Sequence, residues 1–307
     1  MVIVALAELD ELLAGRPPLP PRLGALLARA GQRPLDPACW LAELVTGRAL
    51  PAAPLTRLID APEDCAGTWL RADPVMLRPD LNAVWIVPGG RLTPDGEVAQ
   101  ALVDCLAEEG QDFDLPHPER AYLRLDHLPE SRFVPPGEVR GESLDYVLPT
   151  GPDQQRWRRL LNECQVLLHQ YRDRDGGPSP GSLWFWGAGQ LPSAETIQPR
   201  VRRLAGADPV LRGLAAWLKL DQTELDAAGP TATDDLLLEW SVDRSLDEAA
   251  NLARLEAWLG PLWQRLRLGR LDAIELAGPR RAWRLTPAVA WRVWQRPLKA
   301  PIGDRPE

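Results

Sequence analysis

Arg71 and Asp73 stand two apart at the end of the apolar run Thr68-Trp69-Leu70-Arg71-Ala72-Asp73, and Arg78 follows shortly after. A guanidinium is a planar fork that can hold a carboxylate or phosphate through two hydrogen bonds. Where a strand of an α/β sheet ends, such a fork faces the side on which ligands bind. Asn162 and His169 lie two helical turns apart, so a helix would carry them on one flank. Gly187 and Gly189 close the aromatic run Leu183-Trp184-Phe185-Trp186, and backbone N–H groups at such a turn can approach an anion. Arg71, Asp73, Arg78, Asn162, His169, Gly187 and Gly189 are therefore the candidate ligand-binding residues, and a small anion is the ligand they suit. Each also has a plainer role. Arg71 and Asp73 could pair to shape a turn, His169 could donate to a carbonyl, and the glycines could simply end a strand.

Other chemistry is poorly supplied. The only histidines are His117, His127 and His169, and no HxH, HExxH or DxxxH spacing occurs. Two-ion chemistry needs convergent ligands that hold the ions about 4 Å apart. No metal site is expected from these residues. No GxSxG elbow, GxxxxGK[ST] loop or GxGxxG turn is present, and Gly187-Ala188-Gly189 is a lone GxG. All but two of the 35 basic residues are Arg, so a lysine base or Schiff base would have to be Lys219 or Lys299.

The elements that must position these groups alternate between strand and helix. After a first strand in MVIVALAELDELL, helices are predicted over 20–31 and 37–47. Thr68 to Asp73 reads as a strand, with a turn at Pro74. Leu81 to Val87 is β-rich up to Pro88-Gly89-Gly90, 94–109 reads as a helix, and Ala121 to Leu125 as a strand. The clearest helix begins near Asp153. Trp157, Leu160, Leu161, Cys164, Leu167, Leu168 and Tyr171 form its apolar stripe. The strand 183–186 carries large apolar groups on both faces, so it is expected to be an interior strand covered on both sides, with His169 near the Gly187 turn. Further on come a helix over 209–218, a strand over 236–240, a helix over 245–267, strands over 273–276 and 282–285, and a helix over 287–294. This alternation predicts an α/β fold with a mostly parallel sheet sandwiched by helices. The Pro- and Gly-rich stretch 129–151 suggests a boundary between a lobe over 1–140 and a lobe over 141–297, followed by a loose tail over 298–307.

Composition narrows the class. A net charge of −8 disfavours a nucleic-acid partner. No run is long enough for a membrane span, and the N-terminus lacks the basic region of a signal peptide. The four cysteines have no CxxC pairing and are expected to be reduced, which makes the cytoplasm the expected compartment. The 13 tryptophans are read as core packing for the most part.

TWLRADPVMLRPD (68–80), LLNECQVLLH (160–169), SLWFWGAGQLP (182–192) and the Trp-rich C-terminal helices resemble the RpfE-type regulatory protein family, whose members are often labelled cofactor-independent phosphoglycerate mutases. The segment around His169 and SLWFWGAG looks like part of the archaeal-type mutases, which are alkaline-phosphatase-like metalloenzymes. The chain departs from them in several places. The N-terminal metal-binding Asp-Gly segment and its nucleophilic Ser are missing, no His follows Asp243 as the metal motif would require, and Arg172 stands where an Asn is expected. The resemblance thus implies a degenerate relative that kept the scaffold without the metal site and needs no cofactor. It would be a non-catalytic regulatory or interaction protein whose partner is an unknown protein or a small anionic metabolite. The alternative is a mutase-like isomerase or phosphatase using Mn²⁺ or Mg²⁺ on carboxylates such as Asp73 and Asp243, with Ser182 as nucleophile.

Overall fold

The computed structural model describes residues 1–15, 17–81, 83–139, 142–171, 179–223 and 235–291. The expected tail over 298–307 lies outside them. The chain divides into two units. The first holds residues 1–36, 40–49 and 197 onward, and the second holds 37–39 and 50–196.

In the first unit the chain makes β1 (Val2–Ala5), α1 (Leu9–Ala14), α2 (Pro21–Arg29), β2 (Gly31–Pro34) and α3 (Trp40–Thr46). The second unit follows with α4 (Ala52–Asp60), β3 (Thr68–Pro79), β4 (Val84–Pro88), α5 (Glu97–Glu108), β5 (Asp112–His117) and β6 (Arg120–Leu125). It continues through α6 (Pro136–Val139), α7 (Leu144–Val147), α8 (Gln154–Tyr171) and β7 (Ser182–Gly189). The chain then returns to the first unit with β8 (Arg203–Ala205), α9 (Pro209–Leu218), β9 (Asp221–Gln222) and β10 (Leu236–Glu239). It ends with α10 (Glu248–Arg267), β11 (Ile274–Ala277), β12 (Arg281–Leu285) and α11 (Pro287–Ala290). The expected boundary near residue 140 falls inside the second unit. The Pro-rich stretch is packed there, since Val139 and Val147 are buried beside Trp184. Local composition marks a loop. It cannot show that β8 onward rejoins strands from the first residues of the chain.

The first unit is α/β. Its seven-stranded sheet has the order β2-β12-β11-β1-β10-β8-β9. The strands from β9 through β11 are parallel, and β12 and β2 are antiparallel additions at one edge. Val2, Ile3, Val4 and Ala5 are fully buried, as a central parallel strand covered on both faces requires. One face packs Val2, Val4, Ile274 and Leu276 against leucines of α2 and α10.

The second unit departs from the expected parallel sheet. All its pairings are antiparallel, and β3 is the shared strand. β6 pairs with the first part of β3 up to Arg71, and β4 pairs from Val75 onward on the same path. β7 lies along β3 from Trp69 to Val75 and, among the described residues, pairs with β3 alone. It is thus an edge strand, although Leu183, Trp184 and Phe185 are all buried. The turn expected at Pro74 does not form. Pro74 falls where β3 changes partner from β6 to β4, so its missing N–H breaks neither of those ladders. Among the described residues, no helix is long and apolar enough to cross a membrane.

Candidate functional site

The sheet of the second unit has two unlike faces, and the period of two explains both. On β3, Leu70 and Ala72 point one way and Trp69, Arg71 and Asp73 the other. On β6, Ala121, Leu123 and Leu125 alternate with Arg120, Tyr122 and Arg124. On β7, Leu183 and Phe185 alternate with Trp184 and Trp186. The pairings Arg71↔Tyr122, Arg71↔Trp186 and Asp73↔Trp184 put the second set of residues on one face. The first set joins Leu102, Leu106, Trp157, Leu161, Cys164 and Leu168 from α5 and α8 in one apolar core. α4 packs over the other face and carries the polar groups that answer its charges.

Arg71 forks onto Asp73, Nε to Oδ1 at 2.7 Å and Nη2 to Oδ2 at 2.8 Å. Its third arm donates to Thr56 Oγ1 of α4 at 3.2 Å. Trp186 Nε1 donates to Asp73 Oδ2 at 2.7 Å, and the Arg71 guanidinium lies 4.9 Å from the Trp186 ring centre. Both charged residues are buried. Burial pushes the Asp73 carboxyl above its ordinary range, against the pull of Arg71 and Trp186.

A second charged group sits beside the first. Asp60 at the end of α4 accepts from Arg120 Nε at 2.6 Å, Arg120 Nη2 at 2.5 Å and the Tyr122 hydroxyl at 2.6 Å. Burial alone would raise Asp60. The hydrogen bonds from Arg120 and Tyr122 outweigh it and hold the carboxyl below its ordinary value. Burial pushes the Tyr122 phenol well up. Arg57 of α4 lies 4.2 Å from the Trp69 ring centre, bonds Asp114, and bonds Asp64 at 3.1 Å. Sequence reasoning missed Thr56, Arg57, Asp60, Arg120 and Tyr122. The alternation Arg120-Ala121-Tyr122-Leu123-Arg124 was the signal for the strand residues; nothing local marked the helix residues as their partners.

Of the expected ligand residues, the structure brings together Arg71 and Asp73, and they bond to each other. Arg78 is exposed at the far end of β3, on the opposite face and about 23 Å along the strand at ~3.3 Å per residue. Asn162 and His169 are exposed on α8, which covers the apolar face. α8 runs antiparallel to β7. Trp157 meets Phe185 near its start, with ring centres 5.7 Å apart, and Gln165 meets Ser182 nearer its end, at 3.3 Å. His169 therefore lies beyond the Ser182 end, and Gly187 at the other. A strand that follows a helix runs back along it, so the helix end meets the strand start and not its exit. The basis for one pocket joining His169 to the glycine turn is gone.

Gly187 has φ +68°, and a Cβ there would stand 3.1 Å from Ala52 Cβ. A Cβ on Gly189 would stand within 2.4 Å of Pro51. These glycines let the start of α4 approach β7 closely. Ser182 is buried, donates to the Leu183 carbonyl at 2.9 Å and faces Gln165.

In the first unit, Glu239 and Asp243 stand at and just after the carboxyl end of β10, whereas Glu275 lies near the amino end of β11. Glu239 accepts from the Ala207 and Asp208 amides at 2.8 and 3.0 Å. Asp243 is exposed and accepts from Ser245 Oγ at 2.6 Å and Ser245 N at 3.0 Å, bonds that hold its carboxyl down. Glu275 in β11 is fully buried between Arg33 (2.9 Å) and Arg200 (2.5 Å). Among the described residues, no three His, Cys, Asp or Glu side chains gather into a group that could hold a metal ion.

No family model matches the chain. Over 183 residues it is 28% identical to a 2,3-bisphosphoglycerate-independent phosphoglycerate mutase of Methanosarcina acetivorans, a match covering 53% of this chain and 45% of that protein. Over 122 residues it is 29% identical to a probable enzyme of the same name from Geobacter sulfurreducens, covering 37% of this chain and 30% of that one. The chain is related to phosphoglycerate-mutase-like proteins at low identity. It spans under half the length of these curated relatives. A solved structure, the cofactor-independent phosphoglycerate mutase from Thermoplasma acidophilum DSM 1728, is similar with a TM-score of 0.43 and 17% identity over all of this chain and 95% of that one.

Proposed function

We propose that this phosphoglycerate-mutase-like chain is a non-catalytic cytoplasmic regulatory or interaction protein of the RpfE type, acting through a protein partner or a small anionic metabolite. One observation carries the reading: the groups that phosphoryl transfer would need free are tied to partners within the chain. Asp73 is held by Arg71 and Trp186, Asp243 by Ser245, and Ser182 is buried against the Leu183 carbonyl. Two-ion catalysis with Mn²⁺ or Mg²⁺ would need a convergent set of ligands, and among the described residues no three His, Cys, Asp or Glu side chains gather into one.

The names of the sequence relatives support the second reading, a metal-dependent mutase-like isomerase or phosphatase. An assay of the purified full chain for interconversion of 3- and 2-phosphoglycerate, with and without Mn²⁺, separates the two. The proposed function predicts no turnover in either condition and a stable partner on affinity purification. Turnover that is stimulated by Mn²⁺ and lost in Asp243→Ala would replace the first reading with the second.

A further inference from the structure

The second unit contains a cavity of about 360 Å³ between the end of β6 and the start of α8, within the size range of small-molecule sites. His127 and Arg156 line it together with Asp126 and Glu130. The neighbouring charges are already engaged. Asp153 accepts from Ser131 Oγ at 2.5 Å, from Trp157 Nε1 at 2.9 Å and from the Glu130 amide at 3.2 Å. Arg124 is turned to the Ala66 carbonyl at 3.2 Å and to Asp64 at 3.3 Å.

The other four side chains are differently placed. The Arg156 guanidinium rests 5.4 Å from the Trp157 ring centre and, among the described residues, forms no ion pair. Among the described residues, the side chains of His127, Asp126 and Glu130, all exposed, have no hydrogen-bond or ion-pair partner. One concave surface therefore carries uncommitted donors and uncommitted carboxylates together. Leu125 and Pro129 add apolar wall.

We propose that this cavity binds a small zwitterion of amino-acid size. Its anionic group would be taken by Arg156 and His127, and its cationic group by Asp126 and Glu130. A simple anion would meet two uncompensated carboxylates, and a simple cation would meet the guanidinium, so a ligand bearing both charges is the one that leaves neither side unpaired. This site lies apart from the Arg71–Asp73 pair and does not depend on whether the chain turns over a phosphorylated substrate.

Isothermal titration of the full chain with free L-glutamate, L-arginine and L-leucine, and separately with inorganic phosphate and 3-phosphoglycerate, tests it. At least one amino acid should bind at millimolar concentration or below. Arg156→Ala and Glu130→Gln should each weaken it by about tenfold, the loss of one charge-assisted contact. Circular dichroism spectra and melting curves of both variants should match the parent, since both side chains lie at the surface. Failure of every amino acid to bind overturns the proposal. So does binding that survives both substitutions, or phosphate binding as tightly as the amino acids with Glu130→Gln strengthening it. The amino-acid results stand apart from the mutase assay, whose readout is turnover of 3-phosphoglycerate.

Discussion

The two faces of the antiparallel sheet are made by alternate residues of the same strands, yet they are held together by different physics. The α5 and α8 face is apolar, and the rings of Trp157 and Phe185 pack there with Leu123 in one hydrophobic core. The α4 face buries Arg57, Arg71, Asp73 and Arg120. Its order comes from the pairing of named donors with named acceptors. The apolar face gains from area removed from water and has no preferred partner for any one residue. The charged face pays a desolvation penalty that only good geometry offsets, which makes each of its members hard to replace alone.

The largest effect is expected on the apolar face. Trp157 is 1% exposed, touches Phe133 and Phe185 edge-on, and ties its N–H to Asp153. Trp157→Ala should lower unfolding free energy by about 3–5 kcal/mol, read from urea denaturation. A loss under 1 kcal/mol would mean that α8 does not rest on this core.

On the charged face the size of the loss should depend on what is left behind. Arg71→Met strands Asp73 in a buried position and should cost about 3 kcal/mol. Arg71→Met combined with Asp73→Leu removes both charges and should recover most of that loss, although Trp186 then loses its acceptor. Simple additivity in the double-mutant cycle would show that the fork contributes nothing as a pair.

Much of this sheet was legible in the sequence, and the reasons for the rest differ by element. The stripe from Trp157 to Leu168 and the run SLWFWGAG satisfy the periods 3.6 and 2, and they form α8 and β7. The parallel run VIVA likewise needed only its own composition. What periodicity cannot give is direction and partner. It could not place His169 at the end of α8 remote from Gly187, nor show that β7 lies at an edge. Pro74 looked like a stop because a strand interior ordinarily needs its N–H, and the change of partner along β3 is a long-range fact. By their chemistry Arg71 and Asp73 are groups able to bind a ligand. That they bind each other follows from the period of two; that Thr56 and Asp60 complete the face follows only from α4 packing there.

A smaller effect separates the two acids of the charged face. Asp60 is held below its ordinary value of 3.8, so its share of stability is complete above about that pH and drains as the pH falls through the folded value. Asp60→Asn should cost about 1.5–3 kcal/mol near neutral pH, and the gap to the parent should narrow in acid. Asp73 is raised by burial, so its sign is opposite: its contribution is complete below 3.8 and falls as the pH rises through the folded value. The gap between the parent and Asp73→Asn should therefore widen in acid. Parallel pH profiles for the two variants would contradict the assignment of opposite shifts.

The smallest effect is expected where the apolar face ends and solvent begins. Asn162 and His169 ride on α8 but are exposed, while Leu161 and Leu168 beside them are buried. Their flank points away from the sheet because the apolar stripe fixes the rotation of the helix. Removing either side chain therefore takes nothing from the core. Asn162→Ala and His169→Ala should each change stability by no more than about 0.5 kcal/mol, measured in the same urea series as Trp157→Ala. If His169→Ala instead costs as much as losing a buried apolar side chain, α8 is rotated from the position that places Trp157 and Leu168 inside. The division of the sheet into an apolar face and a charged one would then have to be redrawn from that helix outward.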